Sequence, residues 1–344
     1  MSDAATSVGY DAADEFGGRS TPLQRVQSAL HQYAWLSPLA VLILGVVVMA
    51  LLSDGKTNTL GNFGTIIQQT AVVGALAVGQ TLIIMTAGID LSCAQIMVFA
   101  TMMMASLSFN NGVPGLLAML LAVLASMGFS TLNGLFVTKV KLPPFIVTLG
   151  TLYVFQGIKL KAFSGRSIQN TELNKVHLWL GHVFKFGDFR ITTGVIVMLG
   201  MYAVFAYILR YTAWGTHVYA VGDDPDAARL AGINTNRVIL SVWAVAGLVY
   251  GITAWISIGR VQSAAVNAWE DANLQSITAA VVGGTSLFGG RGRIIGSLLG
   301  ALIVVVVNNG LEVAGYNQGE KVICIGALII GAVALDRWIR KARV

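Results

Sequence analysis

The chain has 344 residues, of which 55% are hydrophobic and only 11% are charged, against roughly 25% charged in soluble globular domains. Apolar runs of about 17 to 25 residues recur, each long enough to cross the hydrocarbon core of a bilayer. The net charge of +6 comes from basic residues spread singly along the chain, without the aromatic and basic stripe that nucleic-acid binding needs. The composition predicts an all-α, multi-pass membrane protein and excludes a nucleic-acid-binding domain.

The chain begins with a polar segment, residues 1–35, which predicts a cytoplasmic tail. No small-residue cleavage site follows the first apolar run, so that run is expected to remain as an anchor. The rest of the chain, residues 36–340, predicts a single transmembrane domain. Cys93 and Cys324 each lie in an apolar stretch, and neither a disulfide framework nor a metal site is expected.

About ten apolar segments are predicted to span the membrane, which leaves both termini in the cytoplasm. They are 36–52, 65–87, 91–108, 114–138, 143–158, 190–210, 238–258, 272–288, 293–308 and 320–336. Most of the lysines and arginines then lie near the inner face, as the positive-inside rule requires. The external loop 159–190 is an exception, since it is rich in basic residues. Glycines could also break 272–288 into a re-entrant helix, so eight or nine spans remain open.

A short sequence echo predicts two related halves. Asn133-Gly-Leu recurs as Asn309-Gly-Leu. In the ten-span topology the first Asn-Gly turn is cytoplasmic and the second is external, which is the arrangement of an inverted repeat, as in many transporters. Chance similarity between two glycine-containing helix ends is the alternative.

The sequence offers little that could support catalysis. Gly289-Gly-Arg-Gly-Arg293 lacks the lysine and the preceding strand of a phosphate-binding loop. The histidines have no partners at an interpretable spacing. They are His31, His177, His182 and His217. No series of acidic or histidine residues runs through the spans, which disfavours an ion-coupled carrier. We therefore expect no enzyme activity and no cofactor, and an energy source outside this chain.

One carboxylate stands out within the apolar segments. In Thr86-Ala-Gly-Ile-Asp-Leu-Ser92, Asp90 follows a glycine break between two apolar stretches. Its carboxylate could cap a helix that begins at Leu91, accepting backbone N–H groups that would otherwise lack partners. Alternatively, Asp90 and Ser92 face a solute path.

A short polar helix is predicted at 222–233, between two long apolar segments. Asp223 or Asp224 suits the N-cap, Pro225 the first helical position and Gly232 the end. Because the segment is too short to be stable alone, it indicates either an ordinary capped loop or a surface on which a cytoplasmic partner docks.

Four motifs together resemble the permease subunits of bacterial ABC sugar importers of the ribose, xylose and galactose type. They are Thr86–Ser92, Asn133-Gly-Leu with Pro143–Thr151, Gly222–Ile233, and Ala280–Gly292. They occur in the right order, and the resemblance runs from about residue 36 to the C-terminus.

The resemblance implies an inner-membrane permease that pairs with a second copy. It implies that the permease receives a pentose or hexose from a periplasmic binding protein and sits on cytoplasmic ATPase subunits, which bind ATP and Mg²⁺. The 222–233 segment then corresponds to the coupling helix that contacts the ATPase. The residues assigned to this contact are Gly222, Asp223, Asp224, Pro225, Asp226, Ala227, Ala228, Arg229 and Gly232.

The sugar path is assigned to polar groups and to aromatic faces that could stack on a sugar ring. The candidates are Gln80, Thr81, Asp90, Ser92, Asn133, Phe145 and Tyr153. Simple helix packing is the alternative for the aromatic ones.

Two other functions stay open at this point. One is an autonomous secondary carrier or channel for a small polar solute, and the other is a membrane scaffold or enzyme. Transport by this chain alone in liposomes would favour the first of them.

Overall fold

The computed structural model describes residues 36–163 and 167–341. The predicted tail 1–35 lies outside the described residues. The helices are α1 (Leu36–Leu52), α2 (Leu60–Met85), α3 (Cys93–Asn111), α4 (Gly115–Thr138), α5 (Pro144–Phe163), α6 (Lys175–Leu178), α7 (Thr193–Tyr211), α8 (Ala213–Asp223), α9 (Pro225–Leu230), α10 (Thr235–Val261), α11 (Ala272–Val282), α12 (Ile294–Val313) and α13 (Gln318–Lys341). The strands are β1 (Ile168–Gln169), β2 (Val183–Phe186), β3 (Phe189–Thr192) and β4 (Ser263–Ala264).

Six helices in the described part of the chain are long and apolar enough to cross a membrane. They are α2, α3, α4, α7, α10 and α12. Helices α1 and α11 are apolar but shorter. The prediction of a polytopic helical membrane protein is therefore confirmed, whereas the count of about ten spans is not.

The bundle has two distinct ends. At the hairpin end, β1 pairs with β4 and β2 pairs with β3, both antiparallel. At the opposite end, which we call the α9 end, lie α8, α9 and the turn 283–293, and the Tyr219 hydroxyl donates to the Gly292 carbonyl over 2.9 Å. Helix α10 connects the two ends, and its 27 residues give it a length of about 40 Å.

Small residues bring α4 and α10 into backbone contact. Ser126 and Ser130 donate to the carbonyls of Gly247 and Trp243, over 2.8 and 2.7 Å. A Cβ on Gly134 would lie 2.7 Å from the Trp243 Cβ. Since small residues let transmembrane helices approach closely, this seam fixes the rotation of α4, and with it the direction of the neighbouring Asn133.

The glycines after α11 end that helix before the end of the predicted span 272–288, in line with the glycine break that the sequence left open. Helix α11 has only 11 residues, and Gly284 follows it with φ +90°. A Cβ on Gly300 of α12 would overlap the Ala279 carbonyl. The two helices therefore pack backbone to backbone, and the end of the predicted span, residues 283–288, belongs to a turn.

The two Asn-Gly pairs lie inside helices, so the predicted turns there are wrong. Asn133 is buried in α4 and Asn309 in α12. Helix α4 runs from the hairpin end to the α9 end, whereas α12 begins after the turn 283–293 and runs the other way. This antiparallel relation is the one that two inverted halves require.

Helix α5 is longer than predicted. It continues to Phe163, so the first residues of the predicted loop 159–190 are helical. The Lys159 side chain is 2% exposed and donates to Gln95 Oε1 on α3 over 2.7 Å. The hydrogen bond explains how a lysine that was assigned to a loop lies within a helix interface.

Candidate functional site

The break between α2 and α3 contains a chain of buried polar groups. Asp90 Oδ1 accepts hydrogen bonds from the Ser92 N–H, at 2.8 Å, and from the Ser92 hydroxyl, at 2.6 Å. The Ser92 oxygen in turn accepts from Asn133 Nδ2 on α4, at 2.9 Å. All three residues are fully buried. Two residues of the break and one from a separate helix, α4, therefore form one connected polar centre.

Neighbouring helices hold the backbone of this break in place. The Gln80 side-chain amide on α2 lies 3.1 Å from both the N–H and the carbonyl of Asp90, accepting from the first and donating to the second. Thr148 on α5 donates to the Ile89 carbonyl over 3.0 Å. Non-helical backbone within a membrane protein persists only where such partners satisfy it.

Helix α3 begins at Cys93, two residues later than the sequence predicts, and its N-cap Ser92 makes no side-chain capping bond. The Asp90 carboxylate nevertheless accepts from backbone N–H groups at the start of this helix, those of Ser92 and Cys93, which is the kind of contact that the sequence predicts for it. The buried Tyr250 hydroxyl on α10 lies close enough to the Asp90 carboxylate to interact with it, and among the described residues Asn133 Oδ1 is buried without a hydrogen-bond partner. The polar centre therefore keeps unused hydrogen-bonding capacity.

The candidate path residues fall into two groups. Five are buried, namely Gln80, Thr81, Asp90, Ser92 and Asn133. Of these, Thr81 bonds back to the Ala77 carbonyl of its own helix. The two aromatic candidates, Phe145 and Tyr153, are 50% and 66% exposed on the outer surface of α5. The polar candidates therefore lie inside the bundle, whereas the aromatic candidates lie on its outer surface.

The predicted polar helix exists as α9 and is capped at both ends. Asp224 Oδ1 accepts from the N–H groups of Asp226 and Ala227, over 2.9 and 3.0 Å, and Pro225 holds the first helical position. Gly232 ends the segment with φ +84°. Asp224 is therefore the N-cap, and Asp223 belongs to the end of α8.

The two faces of α9 differ. The Ala228 side chain is 5% exposed and packs into the hydrophobic core of this chain. On the outer face, Asp226 and Arg229 form an exposed ion pair at 3.4 Å, and Leu230 is 91% exposed. Ala228 therefore attaches the helix to the bundle, while Ala227 and the other exposed residues face outwards.

A backbone junction that sequence reasoning missed lies directly before α9. The Gly290 N–H donates to the Met85 carbonyl over 3.0 Å. A Cβ on Gly222 would lie 2.6 Å from the Gly290 nitrogen. Gly289 and Gly290 both have positive φ, a conformation that favours glycine. The end of α2, the end of α8 and the turn 283–293 therefore meet backbone to backbone. The adjacent glycines Gly289 and Gly290 are the signal in the sequence that could have indicated this junction.

Comparison with known proteins assigns the chain to a family. Residues 62–333 match a family described as branched-chain amino acid transport system, permease component. The chain belongs to this permease family. A fructose import permease protein of Rhizobium meliloti is 41% identical over 347 residues, covering 99% of this chain and 94% of the relative. No solved structure matches the chain.

Other relatives carry similar names. A ribose import permease protein of Bacillus subtilis is 34% identical over 322 residues, covering 93% of this chain and 98% of the relative. A D-allose transport system permease protein of Escherichia coli is 32% identical over 301 residues, covering 88% and 91%. The resemblance to permease subunits of ABC importers is thus confirmed, and the chain is a multi-pass membrane transport component.

Proposed function

We propose that this chain is the membrane-spanning subunit of a binding-protein-dependent ABC importer that moves a monosaccharide across the bacterial inner membrane. The main support is similarity over 99% of the chain to a protein named a fructose import permease. Relatives named for ribose and D-allose extend the candidate substrates to pentoses and hexoses. The chain carries no ATP site of its own in this proposal, and a separate ATPase subunit binds ATP and Mg²⁺.

The outer face of α9 is the proposed docking surface for that ATPase. Leu230 is 91% exposed and Phe288, on the neighbouring turn, is 83% exposed. Large apolar side chains exposed at one end of a bundle are typical anchors of a protein interface. The Asp226–Arg229 pair contributes orientation more than affinity, because exposed ion pairs are weak.

The glycine junction gives α9 a direct mechanical connection to the bundle. The Asp224 cap keeps α9 helical, and Gly222 lies against the backbone of Gly290, which is bonded to Met85. A displacement of α9 therefore moves the end of α2 and the turn before α12 together. Both segments adjoin the polar break, so ATP-driven movement reaches the proposed path.

The complete importer in this proposal contains two permease copies, ATPases and a periplasmic binding protein, with both permease termini in the cytoplasm. Helix α5 offers an apolar surface for lipid or for the second copy. Its exposed side chains include Phe145, Ile146, Tyr153 and Val154. The α9 end faces the cytoplasm and the hairpin end faces the periplasm.

Affinity purification of the tagged permease in mild detergent, followed by mass spectrometry, tests the proposal. We expect an ABC ATPase to co-purify in stoichiometric amount. If no ATPase co-purifies and the permease alone carries sugar into liposomes, the autonomous-carrier alternative is correct instead.

A further inference from the structure

A polar cavity opens at the hairpin end of the bundle, away from the residues assigned to the path. Its volume is about 360 Å³. Parts of α2, α10, α11 and α12 form its wall, together with the segment that joins α10 to α11. Its polar lining includes Gln69, Arg260, Asn267, Trp269, Gln275 and Asn308.

The side-chain amides in this cavity have no internal partners. Within the described ranges, Gln69, Gln275 and Asn308 make no side-chain hydrogen bond, although each is half-buried. Each amide offers both donors and an acceptor. Such a set is well suited to hydroxyl groups, which also both donate and accept.

Trp269 lines the cavity. Its backbone has φ +59°, an uncommon conformation for a bulky residue. The Arg260 guanidinium carbon lies 5.8 Å from the Trp269 ring centroid, within the range of a cation–π contact. Strained backbone of this kind persists where the surrounding structure fixes it, and it clusters at ligand sites.

We propose that this cavity is the site where a neutral monosaccharide first binds the permease from the periplasm, an inference that rests on the proposed function. Its volume is at the lower end of the range of about 300 to 1,000 Å³ for ligand pockets, which suits a single sugar ring. The amides would bind the hydroxyls, and the Trp269 ring would pack against the apolar C–H face. Two acidic residues, Glu270 and Asp271, and one basic residue, Arg260, line the cavity. This excess of negative charge disfavours the binding of an anionic sugar phosphate.

An apolar cluster closes the cavity on the side that faces the polar break. Beneath Val73 and Val305, which line it, the side chains of Ala77, Ala279 and Ala301 form a buried cluster. Gln80 lies about 16 Å further along α2 than Gln69. The sugar would therefore have to cross this apolar cluster to reach the polar break.

Helix α11 connects the cavity to the α9 end. It begins beside the cavity at Ala272 and Gln275 and is followed by the turn that contains Gly290, which packs against Gly222. Movement of α9 is thus transmitted through one short helix to the cavity wall. Opening of the closed cluster would follow from that movement.

Protection of an introduced thiol tests the site on the permease alone. In a Cys324→Ser background, Gln275→Cys places a thiol in the cavity, while the native Cys93 is fully buried. The purified variant in nanodiscs is labelled with a maleimide in the presence of D-fructose, D-ribose, glucose 6-phosphate or leucine. A monosaccharide at about ten times its Kd should slow labelling about tenfold, in proportion to the fraction of empty sites.

Asn110→Cys, an exposed position at the same end, is the matched control and should be labelled at an unchanged rate. Equal rates at Gln275→Cys with and without each monosaccharide, up to their solubility, would overturn the proposal. Protection by leucine or by the sugar phosphate, without protection by a neutral sugar, would overturn the assigned ligand class.

Uptake by the reconstituted importer separates this inference from the proposed function. Trp269→Ala should raise the half-saturating sugar concentration about tenfold, which corresponds to about 1.4 kcal/mol, and should leave ATPase co-purification unchanged. Trp269→Phe should restore most of the loss, and Trp179→Ala, at an exposed tryptophan of the same end, should have no effect. Normal uptake by Trp269→Ala would refute the cavity site and leave the proposed function intact. Absence of an ATPase partner and of ATP-driven uptake in the wild type would instead refute the proposed function.

Discussion

The backbone N–H of Gly290 donates a hydrogen bond to the carbonyl of Met85 over 3.0 Å. The bond joins the turn before α12 to the end of α2, and Gly222 packs against both of its partners. No side chain separates these three segments. The junction is therefore a rigid contact between the proposed docking helix and the bundle.

The first prediction concerns this junction. Gly222→Ala places a methyl group against the Met85 carbonyl and the Gly290 nitrogen, so we expect the backbones to separate. ATP hydrolysis by the assembled importer should continue while sugar uptake falls. Gly128→Ala, where the added methyl meets nothing within 4 Å, is the control and should transport normally. Tight coupling in Gly222→Ala, measured as sugar moved per ATP hydrolysed, would contradict the mechanical role.

The second prediction tests the docking surface. Leu230→Asp places a charge on the most exposed apolar side chain of α9, and loss of one buried anchor at an interface costs about 2 kcal/mol or more. Co-purification of the ATPase should therefore fall sharply. Phe186→Asp makes the same change at an exposed position, 64% accessible, at the hairpin end. Equal loss of ATPase from both variants would show that the effect is not local to α9.

The third prediction concerns the two alanines of α9. Ala227→Trp adds bulk to the outer face and should weaken ATPase binding without altering the permease. Ala228→Trp adds bulk where the side chain is 5% exposed, so overpacking of about 1 to 3 kcal/mol should lower the thermal stability of the permease itself. Detergent melting curves for the two variants, compared with their ATPase recovery, check this difference. Identical melting temperatures would mean that Ala228 does not hold α9 on the bundle.

The fourth prediction separates structure from transport at Asp90. Asp90→Ala removes both hydrogen bonds to Ser92, and each buried group left unpaired costs about 1 to 3 kcal/mol. The variant should lose folded protein in the membrane. Asp90→Asn keeps an acceptor for Ser92 and should remain folded. Uptake by Asp90→Asn then reports whether the negative charge itself is needed for transport.

The fifth prediction is a pH dependence from the hairpin end. His177 is fully buried and its Nε2 lies 3.0 Å from the Gly115 carbonyl, while Nδ1 has no partner among the described residues. Burial lowers the pKa of His177 from its ordinary 6.5, against the opposing effect of the Gly115 contact. The folded state therefore binds fewer protons than the unfolded state, and its stability falls as the pH drops below about 6.5. His177→Gln should lose part of this pH dependence, and an unchanged melting profile between pH 7.5 and 5.5 would contradict the assignment.

Local features were predictable from the sequence because local chemistry determines them. The Asp224 side-chain cap, Pro225 and Gly232 specify α9 through interactions and backbone preferences within the segment itself. The glycine break before Asp90 is likewise visible in the sequence. The direction of Ala228 was not predictable, because it depends on how α9 packs against the rest of the bundle.

Contacts between distant segments were beyond sequence reasoning. Gly222 and Gly290 are far apart in the chain, and glycine carries no side-chain pattern that pairs one position with another. Gln69, Trp269 and Asn308 likewise come from three separate parts of the chain. Lys159 was assigned to a loop because a basic residue at an apolar segment end normally faces water. Its partner Gln95 becomes evident only once α3 and α5 pack together.

The most direct test of the account is sugar uptake into proteoliposomes that contain the purified permease, its ATPase and its binding protein. We predict monosaccharide accumulation that requires ATP, all three components and an intact Gly222. Accumulation of the same sugar by the permease alone, without ATP or ATPase, would contradict the account and identify the chain as an autonomous carrier.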